Sequence, residues 1–588
     1  MRINPLFYLC ALLGLILTSC IPPSEATYDG VALDINDPVS RKLFEYQDQH
    51  LTDSLASYFA HENPSYRYLA ARAFGSYSDP TAHKGLVKLL SDPFDLVRSA
   101  AAYAIGQQNS PDLANELIKN FAPDTSRTFS LANSEILQAV GKTGDVETLK
   151  LLATTTTYQP TDTALLAGQA WSIFYFGRRG ITDTTGILRA LELSSANYPQ
   201  KVRYPALAYL ARYTKNLSAG QVNNLIRELS TTENADLRML QVTAISKNTE
   251  EGTLNILLAQ LNREQDWRVK VNLLRALGKY NYLAIKQAAI ESLNDKNPQV
   301  SLTAAELLLA KGQPEDAATY WKMARDSFPW QTSYKLYQAA NRHLPVYFSD
   351  YRGSINYQVQ QRFAAAQNLY DQAAAITALS DFPWNYRIIQ ELGFASSSEV
   401  VRTTSVQALA YISEREDFVA FFRNSTNRVR ADLGLYFKQA IETGDAGMIY
   451  EAAQPLSKPG NPYIGTYPDL SWADDALKQL PLPEMIESYR ALEGAIAVLR
   501  GGTPTTEYPA PEYNHPIDWK IIEKAGPSPT VRIRTDKGNI DILLWPEMAA
   551  TTISSFLKLA GEGFYDDKPF HRVGPEFVAQ VGDPRADG

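Results

Sequence analysis

The chain has 588 residues, room for several domains, and its 45% hydrophobic and 20% charged content excludes disorder as its general condition. Fifty-six basic against 64 acidic residues give a net charge of −8 with no basic block, which argues against a nucleic-acid partner. Its six histidines (His50, His61, His83, His343, His515, His571) are scattered, no phosphate-cradling glycine motif or nucleophile elbow occurs, and no metal or cofactor is expected.

The N-terminus reads as an export signal over residues 1–20. Met1-Arg2 gives a minimal basic start, and Leu6 to Leu17 is an apolar run short of a comfortable membrane span. Leu17-Thr18-Ser19-Cys20 resembles the lipobox of bacterial lipoproteins, in which cleavage precedes a cysteine that is then lipidated. An ordinary secretory peptide with a chance cysteine, or an N-terminal membrane anchor, is the alternative. Cysteine usage favours the lipobox: the chain has two cysteines, Cys10 and Cys20, both in this segment. The resemblance implies lipidation at Cys20, stable anchoring by several acyl chains, and a tether over 21–36. A cell-envelope location follows from it, the outer membrane by family analogy.

From 37 to 455 the chain reads as a helical repeat solenoid. One frame recurs as Arg67, Ala70, Ala73-Phe74, Gly75; as Val97-Arg98, Ala101, Ala104-Ile105, Gly106; and as Val202-Arg203, Ala206, Leu210-Ala211. It returns as Leu237-Arg238, Ala244-Ile245; as Val269-Lys270, Leu273, Ala276-Leu277, Gly278; as Val300, Ala304, Leu307; and as Val401-Arg402, Ser405, Ala408-Leu409. Neighbouring copies lie roughly 31–36 residues apart, the size of one helix pair. Small residues let helices approach, the arginine ties adjacent turns, and Asp-Pro or Asn-Pro, as at Asp92-Pro93, supplies a cap and a first-turn proline. The pattern resembles HEAT-type repeats in their short form, which implies either a client- or partner-binding surface or a passive spacer. Pro314 to Leu379, with Tyr320, Trp321, Tyr334, Tyr337, Tyr347, Tyr351 and Tyr357, fits the frame poorly and reads as degenerate or tetratricopeptide-like repeats with core aromatics.

Residues 456–529 read as a proline-rich linker with one helix. Pro455, Pro459, Pro462 and Pro468, then Pro504, Pro509, Pro511 and Pro516, flank a helical stretch from Glu484 to Arg500 that is stopped by Gly501-Gly502 and suited to closing the solenoid.

Residues 530–588 change character. Val531 and Ile533 alternate with Arg532 and Arg534, Asp536-Lys537-Gly538 is a turn, and Ile540, Ile542 and Leu544 alternate again, so a hairpin is predicted. Ile553, Phe556, Leu557 and Ala560 have helical spacing, with Gly561 as a stop. Phe570, Arg572 and Gly574 share one parity, as do Val578, Gln580 and Gly582, with a break at Gly574-Pro575. His571 reads as a structural or hydrogen-bonding histidine.

Phe570-His571-Arg572-Val573, Phe577, Gln580 and Gly582-Asp583-Pro584 resemble the signature of cyclophilin-type peptidyl-prolyl cis-trans isomerases. The resemblance implies a closed eight-stranded barrel with Arg572 as catalytic donor, Phe577 as floor of a proline pocket and Gln580 as substrate clamp. Gly574-Pro575-Glu576 and Val581 depart from the family pattern, Glu576 putting a charge near the pocket mouth. The resemblance covers less than half of a barrel, so an incomplete domain truncated at its C-terminus is expected.

The expected whole is a multidomain protein: an all-α HEAT-type solenoid followed by the N-terminal part of a β-barrel. Its expected function is isomerisation of X-Pro bonds in exported polypeptide clients, as an envelope-anchored folding factor or chaperone with a protein partner on the solenoid. A non-catalytic envelope adaptor whose repeats do the binding is the alternative.

Overall fold

A computed structural model describes residues 29–108, 110–122, 128–156, 162–345, 347–505, 513, 515–574 and 578–587. They fall into two compact units, Met1–Leu193 with His515–Leu557 and Ser194–Asn514 with Lys558–Gly588. Most of the described chain is helical.

In the first unit, helices Pro38–Asp48, Pro64–Ala73, Asp95–Gln107, Ser130–Thr143 and Thr163–Arg178 form one row, each packed on the next, with shorter helices laid against them. Small residues set the spacing. A Cβ on Gly141 would lie 2.4 Å from the carbonyl oxygen of Ser172, and one on Gly168 would lie 2.7 Å from that of Ser134. Two glycines therefore let the last two helices of the row touch backbone to backbone.

The second unit repeats the arrangement. Gln200–Tyr213, Ala235–Ile245, Trp267–Leu277, Pro298–Lys311, Trp330–His343, Leu369–Ser380, Glu399–Ser413, Ala446–Leu456 and Ile486–Leu499 stack in one row. The tyrosine-rich region continues this row through Trp330–His343 and Leu369–Ser380. Its aromatics divide: Tyr320, Tyr334 and Tyr337 are buried, whereas Tyr347, Tyr351 and Tyr357 are exposed. The second group departs from the core role expected of them.

The frame arginine works as a repeated tie. Arg67 donates to both oxygens of Asp92 (2.7 and 3.0 Å) and to the carbonyls of His61 and Glu62. Arg238 does the same with Glu264 and the carbonyls of Thr232 and Glu233. Arg402 donates to Asp445 through Nε and Nη2, both to Oδ2, and to the carbonyls of Ser396 and Ser397. Each guanidinium thus closes the turn entering its own helix and reaches forward to an acid about one repeat on.

The cap rule holds at Asp37-Pro38, Asn63-Pro64 and Asn297-Pro298, where the side chain accepts from a first-turn N–H and proline stands at the helix start. Asp92-Pro93 differs. That helix begins at Asp95 with Phe94 at its N-cap, and Asp92 accepts from the Phe94 N–H while also paired with Arg67.

The segment 456–529 also differs from a linker with one helix: it holds Ser471–Gln479, Ile486–Leu499 and Trp519–Ala525. Trp519–Ala525 is fastened to the first helix of its unit. Trp519 Nε1 donates to Glu45 (2.8 Å), Arg41 lies over the Trp519 ring (5.1 Å) and pairs with Glu523 (2.6 Å).

Beyond 529 come β1 (Thr530–Thr535) and β2 (Gly538–Leu543), the helix Pro546–Gly561, then β3 (Arg572–Gly574) and β4 (Val578–Gln580). The strands form two separate antiparallel pairs, β1 with β2 and β3 with β4, and no closed barrel is present among the described residues. Val531 faces Ile542 and Ile533 faces Ile540, so the predicted hairpin is in register. Every residue of β2 is exposed, Ile540, Ile542 and Leu543 included.

Candidate functional site

The register of β3 and β4 decides which signature residues meet. Arg572 lies opposite Gln580, Val573 opposite Ala579 and Gly574 opposite Val578. Directly opposed residues of an antiparallel pair project to the same face with Cβ atoms about 5 Å apart. One face of this hairpin therefore carries a guanidinium beside a carboxamide, eight residues apart in sequence. Both side chains are exposed. Phe577 lies outside the described residues, as do Pro575, Glu576 and Cys20.

Local chemistry explains the rest of the signature. Gly582 has φ +99°, a conformation that L side chains rarely adopt, and a Cβ there would lie 3.0 Å from the Tyr565 ring. Asp583 Oδ1 then accepts from the Arg585 N–H (3.1 Å), and Lys568 Nζ reaches the Pro584 carbonyl (3.2 Å). Glycine, aspartate and proline thus turn the chain out of β4. Of the two roles expected of His571, structural or hydrogen-bonding, the second is not seen: both ring nitrogens are buried and have no partner among the described residues. Nothing in the sequence signals that.

On β1 and β2 the one charged cross-strand pair is Arg532 with Asp541 (2.7 and 2.9 Å), and the guanidinium holds that carboxyl below its usual range. Among the described residues no group of histidines, cysteines or carboxylates is placed to hold a metal ion. The arrangement on β3 and β4 offers directed N–H donors and one amide, groups that bind and polarise a peptide rather than attack it.

Two family models match the chain. Residues 530–588 match the cyclophilin type peptidyl-prolyl cis-trans isomerases, and residues 52–132 match the HEAT repeats. The C-terminal segment is of the cyclophilin type. A putative bifunctional phosphatase/peptidyl-prolyl cis-trans isomerase of Streptococcus pyogenes is 47% identical over 60 residues, 10% of this chain and 13% of that protein. Peptidyl-prolyl cis-trans isomerase B of Bacillus subtilis is 51% identical over 53 residues, 9% of this chain and 37% of that protein. The chain thus spans a small part of the first relative and just over a third of the second. Yeast importin-beta (Kap95p) superimposes with a TM-score of 0.40 at 11% identity, covering 80% of this chain and 81% of that one. The cyclophilin-type match falls on the C-terminal segment, and the helical rows make up most of the described chain.

Proposed function

We propose that the protein is a peptidyl-prolyl cis-trans isomerase acting on X-Pro bonds of exported polypeptides, with the helical repeats holding the client or a partner. The observation that carries this reading is the cross-strand pairing of Arg572 with Gln580 inside the cyclophilin-type segment. An X-Pro bond resists rotation because resonance gives it partial double-bond character, with a barrier near ~20 kcal/mol. Twisting the bond localises a lone pair on the prolyl nitrogen. A guanidinium aimed there binds the twisted state more strongly than either planar one, which is the differential binding that catalysis requires. Gln580 bonds the substrate backbone and Phe577 holds the proline ring. The chemistry calls for no nucleophile, metal or net proton transfer. The test is whether the full-length gene product accelerates exchange of an X-Pro peptide.

The proposed location is the cell envelope, with the chain held in the outer membrane by a lipid anchor at Cys20. Support comes from the Leu17-Thr18-Ser19-Cys20 box and from the confinement of both cysteines to this segment. Among the described residues no helix is long and apolar enough to cross a membrane. Cys20→Ser is expected to leave the protein unlipidated and to move it out of the membrane fraction. A Cys20→Ser variant that stays fully membrane-bound on fractionation contradicts the anchor.

A further inference from the structure

The loop after Gly582-Asp583-Pro584 is seated on helices of its own unit. Arg585 donates from Nη2 to Asp445 Oδ1 (2.5 Å) and from Nη1 to Glu399 Oε1 (3.4 Å). Its Nε and Nη2 also reach Asp587 Oδ2 (3.1 and 2.9 Å), which folds the loop on itself. Asp587 accepts from Thr403 Oγ1 (2.7 Å), and the Tyr370 hydroxyl donates to the Ala586 carbonyl (2.9 Å). These partners stand on or at the start of three successive helices of the row, Leu369–Ser380, Glu399–Ser413 and Ala446–Leu456. Three of these side chains are well covered, 17% exposed for Arg585, 9% for Asp587 and 8% for Asp445, while Glu399 at 43% stands at the open edge.

The seat is shaped as well as charged. A Cβ on Gly447 would come within 2.6 Å of Asp587 Oδ2, 2.9 Å of Arg585 Nη2 and 2.2 Å of Thr403 Oγ1, so glycine there leaves room for the loop. Asp445 is also unlike the other acids of the arginine tie. Asp92 serves Arg67 and Glu264 serves Arg238, whereas Asp445 takes Arg402 on Oδ2 and Arg585 on Oδ1 while capping its own helix. Burial opposes its charge, yet Arg402, the Met448 N–H and Arg585 together hold its carboxyl below the usual range.

We propose that residues 583–587 are a latch that fastens the β3–β4 hairpin to the helical row, with the Arg585 guanidinium seated between Asp445 and Glu399. The latch begins three residues after Gln580, so the row fixes where Arg572 and Gln580 are presented. Charge-assisted, forked hydrogen bonds suit that task because they set orientation as well as strength. The solenoid then positions the hairpin in addition to any client it binds.

The test is amide hydrogen exchange on the full chain. Arg585→Ala is expected to raise exchange roughly tenfold or more across 572–587 and at the first turn of Ala446–Leu456. The rest of the row and the helical circular dichroism signal stay as in the unaltered protein. Thr403→Val, which removes the donor to Asp587 from the solenoid side, raises exchange at 583–587 as well. Wild-type exchange across 572–587 in a folded Arg585→Ala protein overturns the latch. Exchange reads backbone opening, so this outcome does not depend on whether the segment isomerises proline.

Discussion

Arg572→Ala in the full-length gene product is expected to lower kcat/KM toward an X-Pro peptide by two to three orders of magnitude while leaving the fold intact. On the proposed mechanism the Arg572 guanidinium senses the change at the prolyl nitrogen, and one preorganised donor of this kind is worth roughly 3–4 kcal/mol in a transition state. The fold should tolerate the change because Arg572 is exposed and its side chain makes no hydrogen bond or ion pair among the described residues. No buried partner is orphaned when it goes. In the role proposed for it, Phe577→Ala is expected mainly to weaken substrate binding, raising KM more than it lowers kcat. Steady-state kinetics with a circular dichroism control separates the two. An Arg572→Ala protein with undiminished kcat/KM contradicts the role given to the guanidinium.

Asp92→Ala is expected to have the largest effect on stability. The Arg67 and Asp92 side chains are only 10% and 5% exposed, and two parallel hydrogen bonds join them. Removing the acid leaves Arg67 with two carbonyls and an uncompensated buried charge, a loss of about 3–5 kcal/mol. The Phe94 N–H loses its acceptor as well. Each repeat contacts mainly its neighbours, so the damage should be local. Amide exchange in Pro64–Ala73 and Asp95–Gln107 rises, while the second unit keeps its protection. Replacing both partners with apolar residues of similar volume should cost less than Asp92→Ala alone. If Asp92→Ala leaves exchange in both helices unchanged, the tie is not what holds them.

The repeat frame was legible because small residues at fixed positions leave a periodic trace, and the arginine stands out against it. The β1–β2 hairpin was legible because parity and turn residues agree, as at Val531, Ile533 and Asp536-Lys537-Gly538. Elsewhere local signals gave way to tertiary demands. Asp92-Pro93 reads as the cap of the next helix, yet that helix starts at Asp95 and the carboxylate is shared between the Phe94 N–H and Arg67, a partner 25 residues earlier. Ser471–Gln479 is only nine residues long and buries only Ala473 and Ala476, so its signal is easily lost among the prolines around it. Tyr320 and Tyr351 are the same residue type in one region, but the first is buried and the second is half exposed. The seat of Arg585 on Asp445 joins residues 140 apart, a distance at which no sequence period operates.

The most direct test of the central claim is the exchange rate of an X-Pro peptide, measured by NMR with the full-length gene product present. Spontaneous isomerisation takes tens of seconds near 25 °C. The account predicts exchange well above that rate, proportional to protein concentration and lost with Arg572→Ala. Exchange that stays at the spontaneous rate, in a protein whose helical spectrum shows it folded, would contradict the account.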